Sequence, residues 1–474
     1  MIERENLILD TDSYKPSQWL QYPQNTEGYF GYISARASLR TIEPISETVF
    51  FGLQIYLQNY LSHPITKEDI DEAEEFLLEH GEPFNREGWE YILEQYNGYI
   101  PVIIKAAPEG MVIPEGNVLA TVECEDPRCY WIAGYIETAL LRGIWYPSTV
   151  ATNSRECKKV LMKYLELTSD NPLLEIVYKL HDFGSRGVSS NESSGIGGAG
   201  HLVNFMGSDN IKGVRFANKH YSIKMAGNSI SASEHSTITS WGQDNEIEAY
   251  RNMIKQFGQK GKIFACVSDS YNIFNACRHL WGEVLKQEII DSGATLVIRP
   301  DSGSPAETVT KCLKILDEKF GNTLNKKGYK VLNHVRVIQG DGINIDTIKE
   351  ICKKVAYEGF SLDNVNFGMG GALLQHLNRD TLRFAMKCSS VKRNGEWQDV
   401  FKSPVGDPSK RSLSGIISLY KIRSEHGTEL VTLRKELMTY PKFHIVEEVL
   451  MPVYINGKLI NQSTFDEVRQ RASL

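Results

Sequence analysis

A short apolar run followed at once by a cluster of glycine, serine and charged residues occurs five times in this sequence, and this repetition limits the folds open to the chain. Each cluster is followed by a helical pattern. The five pairs are Leu174–Leu180 with His181–Gly184, Ile263–Val267 with Ser268–Ser270, Thr295–Ile298 with Arg299–Gly303, Val335–Ile338 with Gln339–Gly342, and Asn364–Phe367 with Gly368–Gly371. Positions 269, 301, 341 and 368 mark the last four junctions, which lie 32, 40 and 27 residues apart, the size of a βα unit. The series predicts a parallel α/β sheet, and enough such units close as a barrel.

All five polar clusters are predicted to lie at the carboxyl ends of strands. In α/β barrels this is the end at which the loops build the active site. A single cluster carries little weight, because βα loops need turn residues in any case. Five in succession favour one shared site.

The first 150 residues show another pattern. A helix is predicted from Thr66, which can cap it, to Gly81, and another over Tyr130–Leu141. Short β-branched runs over 101–122 are broken by proline and glycine and predict strands with tight turns. We predict a β-rich domain with some helices over 1–150, an α/β barrel domain over 151–400, and a C-terminal segment over 401–474 that packs back on the N-terminal domain.

Composition excludes several classes of protein. The chain has 474 residues, 41% hydrophobic and 23% charged, which is typical of a globular protein. Its net charge of −7 provides no basic excess for a nucleic-acid backbone, and no apolar run approaches the ~20 residues of a membrane span. The eight cysteines lack zinc-site spacing, and the N-terminus lacks the apolar core of a signal peptide. We expect an enzyme of the cytoplasm with free thiols and no nucleic-acid or membrane partner.

The clusters carry groups that suit a phosphorylated sugar. Arg299 offers a bidentate fork for phosphate, and Asp301 can accept hydrogen bonds from sugar hydroxyls. The glycines of Gln339–Gly342 and Gly368–Gly371 let backbone N–H groups approach phosphate oxygens. An ion pair that orders a loop, and ordinary turn chemistry, explain the same residues equally simply.

His235, in Glu234–Thr237, is the strongest candidate for reactive chemistry. A histidine can take a proton or a phosphoryl group when a carboxylate orients its other nitrogen, and Asp269 is one possible partner. A structural, hydrogen-bonded imidazole is the competing interpretation. The glycine-rich Gly195–Gly200 is predicted to be a loop; it does not follow a strand as a dinucleotide-binding fingerprint does, and no GxxxxGK[ST] motif is present.

Longer motifs extend along almost the whole chain. They are Asn6–Lys15, Glu47–Gln54, His181–Ser190, Glu234–Thr239, Ser268–Tyr271, Ile298–Gly303, Ile338–Gly342, Phe367–Gly371 and Asp407–Ser412. In their identity and order the chain resembles the nicotinate/nicotinamide phosphoribosyltransferase family, the type II phosphoribosyltransferases. The resemblance implies an irregular, seven-stranded α/β barrel with an N-terminal β-rich α+β domain. It also implies a homodimer with shared active sites.

The reaction implied by the resemblance is a pentosyl transfer. Nicotinamide and 5-phosphoribosyl 1-diphosphate would give nicotinamide mononucleotide and diphosphate, a salvage step toward NAD. Mg²⁺ would accompany the diphosphate, and ATP would stimulate turnover by phosphorylating His235, with Asp269 orienting the ring. The alternatives are a nicotinate phosphoribosyltransferase, a sugar-phosphate barrel enzyme of another class, and a non-catalytic binding role.

The resemblance also implies residue roles. His235, Asp269 and Asp301 would be catalytic. Phe183, with Tyr14 from the partner chain, would sandwich the pyridine ring, and Asp209 would accept from the carboxamide and disfavour nicotinate. The other implied contacts to the sugar and phosphates are Arg186, Arg299, Gly340, Asp341, Gly370, Gly371 and Arg379, with Arg36, Lys387, Lys402 and Lys410 from the second subunit. Three places depart from the family pattern: the short segment 37–44, the stretch 221–233, and Ser185.

Overall fold

A computed structural model describes residues 5–36, 45–406, 411–425, 427–439 and 444–474. Segment 37–44 and Lys410 therefore lie outside the described residues. The chain divides into two compact units. Unit 1 comprises Met1–Thr152, His220–Ser222 and Asn378–Ser473, and unit 2 comprises Asn153–Lys219, Ile223–Leu377 and Leu474. In the described ranges, no helix combines the length and hydropathy needed to cross a bilayer.

Within the described ranges, the strands belong to five sheets. They are β1 (Thr26–Ala35), β2 (Glu47–Val49), β3 (Ile103–Ala106), β4 (Val112–Pro114), β5 (Val118–Cys124), β6 (Leu180–Asp182), β7 (Gly207–Ser208), β8 (Ser231–Ala232), β9 (Ile263–Val267), β10 (Thr295–Arg299), β11 (Asn322–Leu324), β12 (Lys330–Leu332), β13 (Val335–Gln339), β14 (Val365–Met369), β15 (Phe384–Arg393), β16 (Glu396–Asp399), β17 (Ile417–Ser424), β18 (Gly427–Arg434), β19 (His444–Glu448), β20 (Met451–Ile455) and β21 (Lys458–Leu459).

The α-helices alternate with the strands in unit 2 and are fewer in unit 1. They are α1 (Leu53–Tyr56), α2 (Lys67–His80), α3 (Arg86–Gln95), α4 (Ile132–Tyr135), α5 (Glu137–Thr168), α6 (Pro172–Glu175), α7 (Asn191–Leu202), α8 (Ile211–His220), α9 (His235–Thr239), α10 (Glu246–Phe257), α11 (Ile273–Asn275), α12 (Lys286–Ser292), α13 (Pro305–Phe320), α14 (Ile345–Tyr357), α15 (Gly371–Leu374) and α16 (Phe465–Arg471). π-Helical turns extend α1 over Leu57–Leu61 and α11 over Ala276–Val284.

Unit 2 is built on a curled, seven-stranded parallel sheet in the order β7-β6-β14-β13-β10-β9-β8. Its central strands are buried, apolar runs, as expected when helices cover a parallel sheet. The two edges of the sheet are linked because Gly207 in β7 forms a parallel bridge with Asn228, just before β8. The parallel α/β sheet predicted from the βα series is confirmed, and so is the irregular α/β barrel implied by the family resemblance.

Unit 1 is built on an antiparallel sheet in the order β16-β15-β1-β5-β3-β20-β21. Strands from both ends of the chain share it, because β15 pairs with β1 and β20 pairs with β3. The predicted helix over 66–81 is confirmed: Thr66 forms a capping box with Asp69, and Gly81 ends α2 at φ +96°. The β-rich character of this part of the chain, and the helix near Tyr130–Leu141, are also confirmed, although α5 continues to Thr168.

Two local predictions are wrong. Leu174–Leu180 is not one strand, because Pro172 starts α6, a 3₁₀ turn spans Ile176–Tyr178, and β6 begins only at Leu180. Gly195–Gly200 is not a loop but the buried interior of α7. Two of its glycines lie where neighbouring groups leave no room for a side chain: a Cβ would lie 2.6 Å from the Phe216 ring at Gly195 and 2.6 Å from Asn210 Nδ2 at Gly198.

Candidate active site

The polar clusters of unit 2 meet at one end of the barrel, where the carboxyl ends of the parallel strands lie. We call this end the barrel edge. Because β6, β9, β10, β13 and β14 are parallel neighbours, the residues that follow them lie at the same end of the sheet. This edge carries most of the residues predicted for the site: Phe183, Arg186, His235, Asp269, Arg299, Asp301, Gly340, Asp341, Gly370 and Gly371. We therefore take it as the candidate site.

His235 and Asp269 form the predicted pair. His235 begins α9 and its Nε2 lies 2.9 Å from Asp269 Oδ1; the imidazole side chain is 44% exposed and the carboxylate 4%. Asp269 Oδ2 accepts from the backbone N–H of Asp301 at 3.1 Å and from Ser302 Oγ at 2.7 Å. Asp269 is thus held by the neighbouring βα loop, and it in turn orients an accessible histidine.

Arg299 and Asp301 are brought together as a loose pair. Arg299 Nη2 lies 3.5 Å from Asp301 Oδ2, at the limit of a hydrogen bond. Three buried polar atoms at this edge have no hydrogen-bond partner in the described chain: Arg299 Nε, Ser270 Oγ and Gln339 Oε1. Buried polar groups are normally paired, so these atoms offer hydrogen bonds to a ligand. Gln339 is otherwise fixed by its Nε2, which donates to the Asp341 carbonyl at 3.0 Å.

A cavity of about 250 Å³ extends into the barrel from this edge. Phe183, Asp209 and Arg299 line it, and its apolar wall includes residues of β9, β10 and β13. Ser229 Oγ donates to Asp209 Oδ1 at 2.6 Å, which leaves Oδ2 for a ligand. Burial lowers the pKa of the adjacent His181, against the opposing effect of the Asp209 charge. The cavity therefore combines an aromatic face, a carboxylate and a neutral imidazole.

Glycines make room for the Phe183 ring. A Cβ at Gly368 would lie 2.0 Å from Phe183 Cε2, and one at Gly340 would lie 3.1 Å from the same atom. Phe183 N donates to the Met369 carbonyl at 3.0 Å, which ties the loop after β6 to the end of β14. These contacts fix the ring at the mouth of the cavity.

The remaining predicted residues belong to unit 1. Tyr14 is 56% exposed and lies beside Lys15. Four cations of unit 1 lie near one another: Arg36, Arg379, Lys387 and Lys402. Burial lowers the pKa of Lys387; Glu137 raises it, and the three other cations lower it further. Lys387 Nζ donates to the Met386 carbonyl at 2.9 Å, and Arg36 Nε to the Arg383 carbonyl at 3.2 Å. We call these four residues the cation cluster.

Sequence reasoning missed three contributors to the barrel site. Ser229, which holds Asp209, lies in the divergent stretch 221–233, where no local pattern marks it. Gln339 and Gly368 lie within two of the polar clusters, but their residue types indicate only turn or backbone roles.

In the described residues, no group of three or more histidine, cysteine or acidic side chains forms a metal cage.

Comparison with known proteins gives a consistent result. The model of the nicotinate phosphoribosyltransferase (NAPRTase) family matches residues 178–439, and the model of the nicotinamide phosphoribosyltransferase N-terminal domain matches residues 6–104. The chain is 48% identical over 468 residues to a nicotinamide phosphoribosyltransferase of Xanthomonas campestris pv. campestris, covering 99% of this chain and 98% of the relative. It is 31% identical to a nicotinamide phosphoribosyltransferase of Acinetobacter baylyi, covering 99% and 97%.

Solved structures agree at the level of the fold. A nicotinate-nucleotide pyrophosphorylase from Pyrococcus furiosus superposes with a TM-score of 0.65 at 15% identity, covering 100% of this chain and 96% of the other. Human nicotinic acid phosphoribosyltransferase superposes with a TM-score of 0.61 at 16% identity, covering 98% and 92%.

Proposed function

This chain belongs to the nicotinate phosphoribosyltransferase family, and on that premise we propose that it transfers the phosphoribosyl group of 5-phosphoribosyl 1-diphosphate, the phosphoribosyl donor, to nicotinamide. The products are nicotinamide mononucleotide and diphosphate, in the salvage of NAD. The observation that carries the proposal is the cavity in which Phe183, Asp209 and Arg299 face the same space. We place the reaction in the cytoplasm.

The base site favours an uncharged pyridine amide. Phe183 offers a flat face to the heteroaromatic ring, and Asp209 Oδ2 is available to accept from the carboxamide NH₂. A carboxylate at this position repels nicotinate, so one residue both attracts the amide and rejects the acid.

The phosphate side of the site stabilises the leaving group. As the bond from the anomeric carbon to diphosphate breaks, positive charge develops on the ribose and negative charge on the diphosphate. Arg299 and Arg186 would bind the diphosphate, and Asp301 would bind the ribose hydroxyls. Mg²⁺ would add charge neutralisation; with no protein cage for a metal in the described part of the chain, it fits as an ion held chiefly by substrate oxygens, with Asp301 as a carboxylate in reach.

Substitution of Asp209 tests the assignment. We expect Asp209→Asn to lower kcat/KM for nicotinamide about 10- to 100-fold, the effect of losing a charge-assisted hydrogen bond, and to raise relative use of nicotinate. The assay follows mononucleotide by mass with the two bases in parallel. Asp291→Asn, at an exposed aspartate of α12, is the matched control. An unchanged preference between the bases refutes the role of Asp209, and no product from nicotinamide in the wild type refutes the function.

ATP stimulation is proposed through His235. Asp269 occupies Nε2, so Nδ1 is the nitrogen that attacks the γ-phosphorus of ATP; the bond to ADP breaks and a phosphohistidine forms. The phosphoryl group passes later to water. Between these steps, its charge changes the electrostatics of the diphosphate side of the site.

The test compares His235→Ala with His279→Ala, a solvent-exposed histidine that is also paired with a carboxylate, Glu283, at 2.8 Å. We expect His235→Ala to lose ATP stimulation and acid-labile ³²P from γ-labelled ATP, while His279→Ala keeps both. Label retained in His235→Ala contradicts the phosphohistidine.

We also propose a homodimer in which the partner's Tyr14, with the partner's Arg36, the partner's Lys387 and the partner's Lys402, completes each barrel site. Tyr14→Ala and Asp301→Asn are each expected to be nearly inactive alone. Refolded together, they are expected to recover about a quarter of wild-type activity, because half of the dimers are mixed and each mixed dimer has one intact site. No recovery in a mixture shown to be dimeric contradicts the shared site.

A further inference from the structure

A buried carboxylate precedes Phe183 in the chain and is not used by the chemistry above. Asp182, at the end of β6, is fully buried. Its Oδ1 accepts from the backbone N–H of Gly184 at 2.7 Å, and its Oδ2 accepts from Asn210 Nδ2 at 2.9 Å. Burial raises the pKa of Asp182 to about 6. A buried carboxylate is costly, and both of its oxygens are bound to the two loops that carry the base-binding residues.

Asn210 uses its whole side-chain amide in the same network. Its Nδ2 also donates to the Ser194 carbonyl at 2.9 Å, while its Oδ1 accepts from Ser194 Oγ at 3.1 Å and from Gly213 N at 3.0 Å. With two donors and two acceptors satisfied, the amide has one orientation. Ser194 Oγ in addition lies 2.8 Å from Ser185 Oγ, in the turn that carries Arg186.

The glycine-rich helix α7 permits these contacts. A Cβ at Gly198 would lie 2.6 Å from Asn210 Nδ2, 2.7 Å from the Cα of Gly213 and 3.1 Å from Asp182 Oδ2. Cβ atoms are not found this close to other heavy atoms, and two of these neighbours are fixed. Glycine at position 198 is therefore required by the network, although it lowers the helix propensity of α7.

The network joins the two residues that contact the base. Phe183 stands between Asp182 and Gly184 in the chain, and Asp209 stands next to Asn210. The backbone N–H of Asp209 also donates to the Asp182 carbonyl at 3.1 Å. Any shift of Asn210 relative to Asp182 thus changes the spacing between the aromatic face and the carboxylate.

We propose that Asp182, Asn210 and Gly198 are positioning residues that fix Phe183 and Asp209 at the separation required by a pyridine base, and so determine base affinity. The inference rests on the proposed function, because it takes the base to be the ligand of Phe183 and Asp209. A network that served only stability would affect all substrates alike when loosened. A positioning network changes the KM of the base and leaves that of the phosphoribosyl donor unchanged.

The test uses two glycines of the same helix. Gly198→Ala and Gly195→Ala make the same change in α7, and in each the new Cβ would lie 2.6 Å from a neighbouring atom, but the three nearest atoms at 195 all belong to the Phe216 ring and none to the network. Gly195→Ala therefore controls for overpacking of the helix. For Gly198→Ala we expect the KM of the base to rise at least tenfold, with the KM of the phosphoribosyl donor within twofold of wild type. For Gly195→Ala we expect both to stay within twofold. Ser194→Ala, which removes only a hydroxyl, should raise the KM of the base about threefold and keeps the test valid if Gly198→Ala does not fold.

All variants are assayed with nicotinamide and with nicotinate, beside the wild type. Equal rises in both KM values, or an unchanged base KM in folded Gly198→Ala or Ser194→Ala, overturn the positioning role. A wild type that uses only nicotinate overturns the proposed function but not this inference, which then applies to nicotinate. A wild type that uses neither base overturns both.

Discussion

The barrel site of unit 2 and the cation cluster of unit 1 differ in the partners that surround their charged side chains. In the barrel site, charged groups face hydrogen-bond donors or an opposite charge: Asp269 is bonded to His235 and accepts from the next loop, and Arg299 faces Asp301. In the cation cluster, Lys387 interacts with three other cations and with a single carboxylate, Glu137, and it donates to a backbone carbonyl.

This difference indicates which region is complete before substrate arrives. Paired charges in a folded loop network are preorganised, so they cost no rearrangement during reaction. Like charges held close together repel one another and lower the stability of the free protein. A bound anion removes this repulsion and restores the stability. We therefore expect the barrel site to fix geometry and the cation cluster to capture phosphate.

The largest effect is expected when Asp269, the carboxylate that is bonded to His235 and to the next βα loop of the barrel site, is replaced. Asp269→Ala removes acceptors for His235, Asp301 N and Ser302 Oγ together. We expect kcat/KM to fall about 10²- to 10³-fold and the protein to lose about 1–3 kcal/mol of stability, measured by steady-state kinetics and urea unfolding. Asp269→Asn keeps the shape and should lose less of both. Activity within threefold of wild type for Asp269→Ala would show that the paired charges are not preorganised for catalysis.

A smaller effect is expected at Gly368, where packing rather than charge sets the geometry. The new Cβ of Gly368→Ala would collide with the Phe183 ring. We therefore expect the nicotinamide KM to rise about tenfold. The free energy of unfolding should fall by about 1–3 kcal/mol, as it does in overpacked cores. Gly187→Ala, whose Cβ would have no neighbour nearer than 3.6 Å, is the control for stability. Normal nicotinamide affinity in Gly368→Ala would mean that the ring position is not limiting.

The sequence predicts the barrel well where burial is uniform. β9, β10, β13 and β14 are covered on both faces, so they appear as continuous apolar runs with abrupt polar ends. Leu174–Leu180 has similar composition, but Leu173 and Leu174 are each 74% exposed on α6. An apolar run alone therefore does not distinguish a buried strand from a short surface helix.

The site is only partly predictable for a related reason. His235 and Asp269 follow from the rule that parallel strand ends share an edge, together with the resemblance to a family. Gly198 could not be predicted in this way. The low helix propensity of its glycine-rich segment indicates a loop, but tertiary packing makes the segment helical. Ser229 depends on the path of a loop that no local pattern specifies.

The cation cluster is tested by removing one charge. For Lys387→Met we expect the KM of the phosphoribosyl donor to rise about tenfold, as for the loss of one phosphate contact, with the nicotinamide KM unchanged. Because the folded-state pKa of Lys387 lies below its usual value, the charged lysine costs stability at neutral pH, so thermal unfolding of the free variant should occur at a higher temperature. A lower unfolding temperature in phosphate-free buffer would contradict the contrast between the two regions.

The smallest expected effect concerns the pH dependence of the same lysine. Since burial and neighbouring cations lower its pKa, Lys387 loses its charge at a less alkaline pH than a free lysine, and the KM of the phosphoribosyl donor should rise as pH increases through that value. Lys387→Arg keeps its charge across this range, so its KM should stay flat where that of the wild type rises. Coincident alkaline limbs for the two proteins would show that another group titrates there, and that Lys387 is not the cation that contacts the donor.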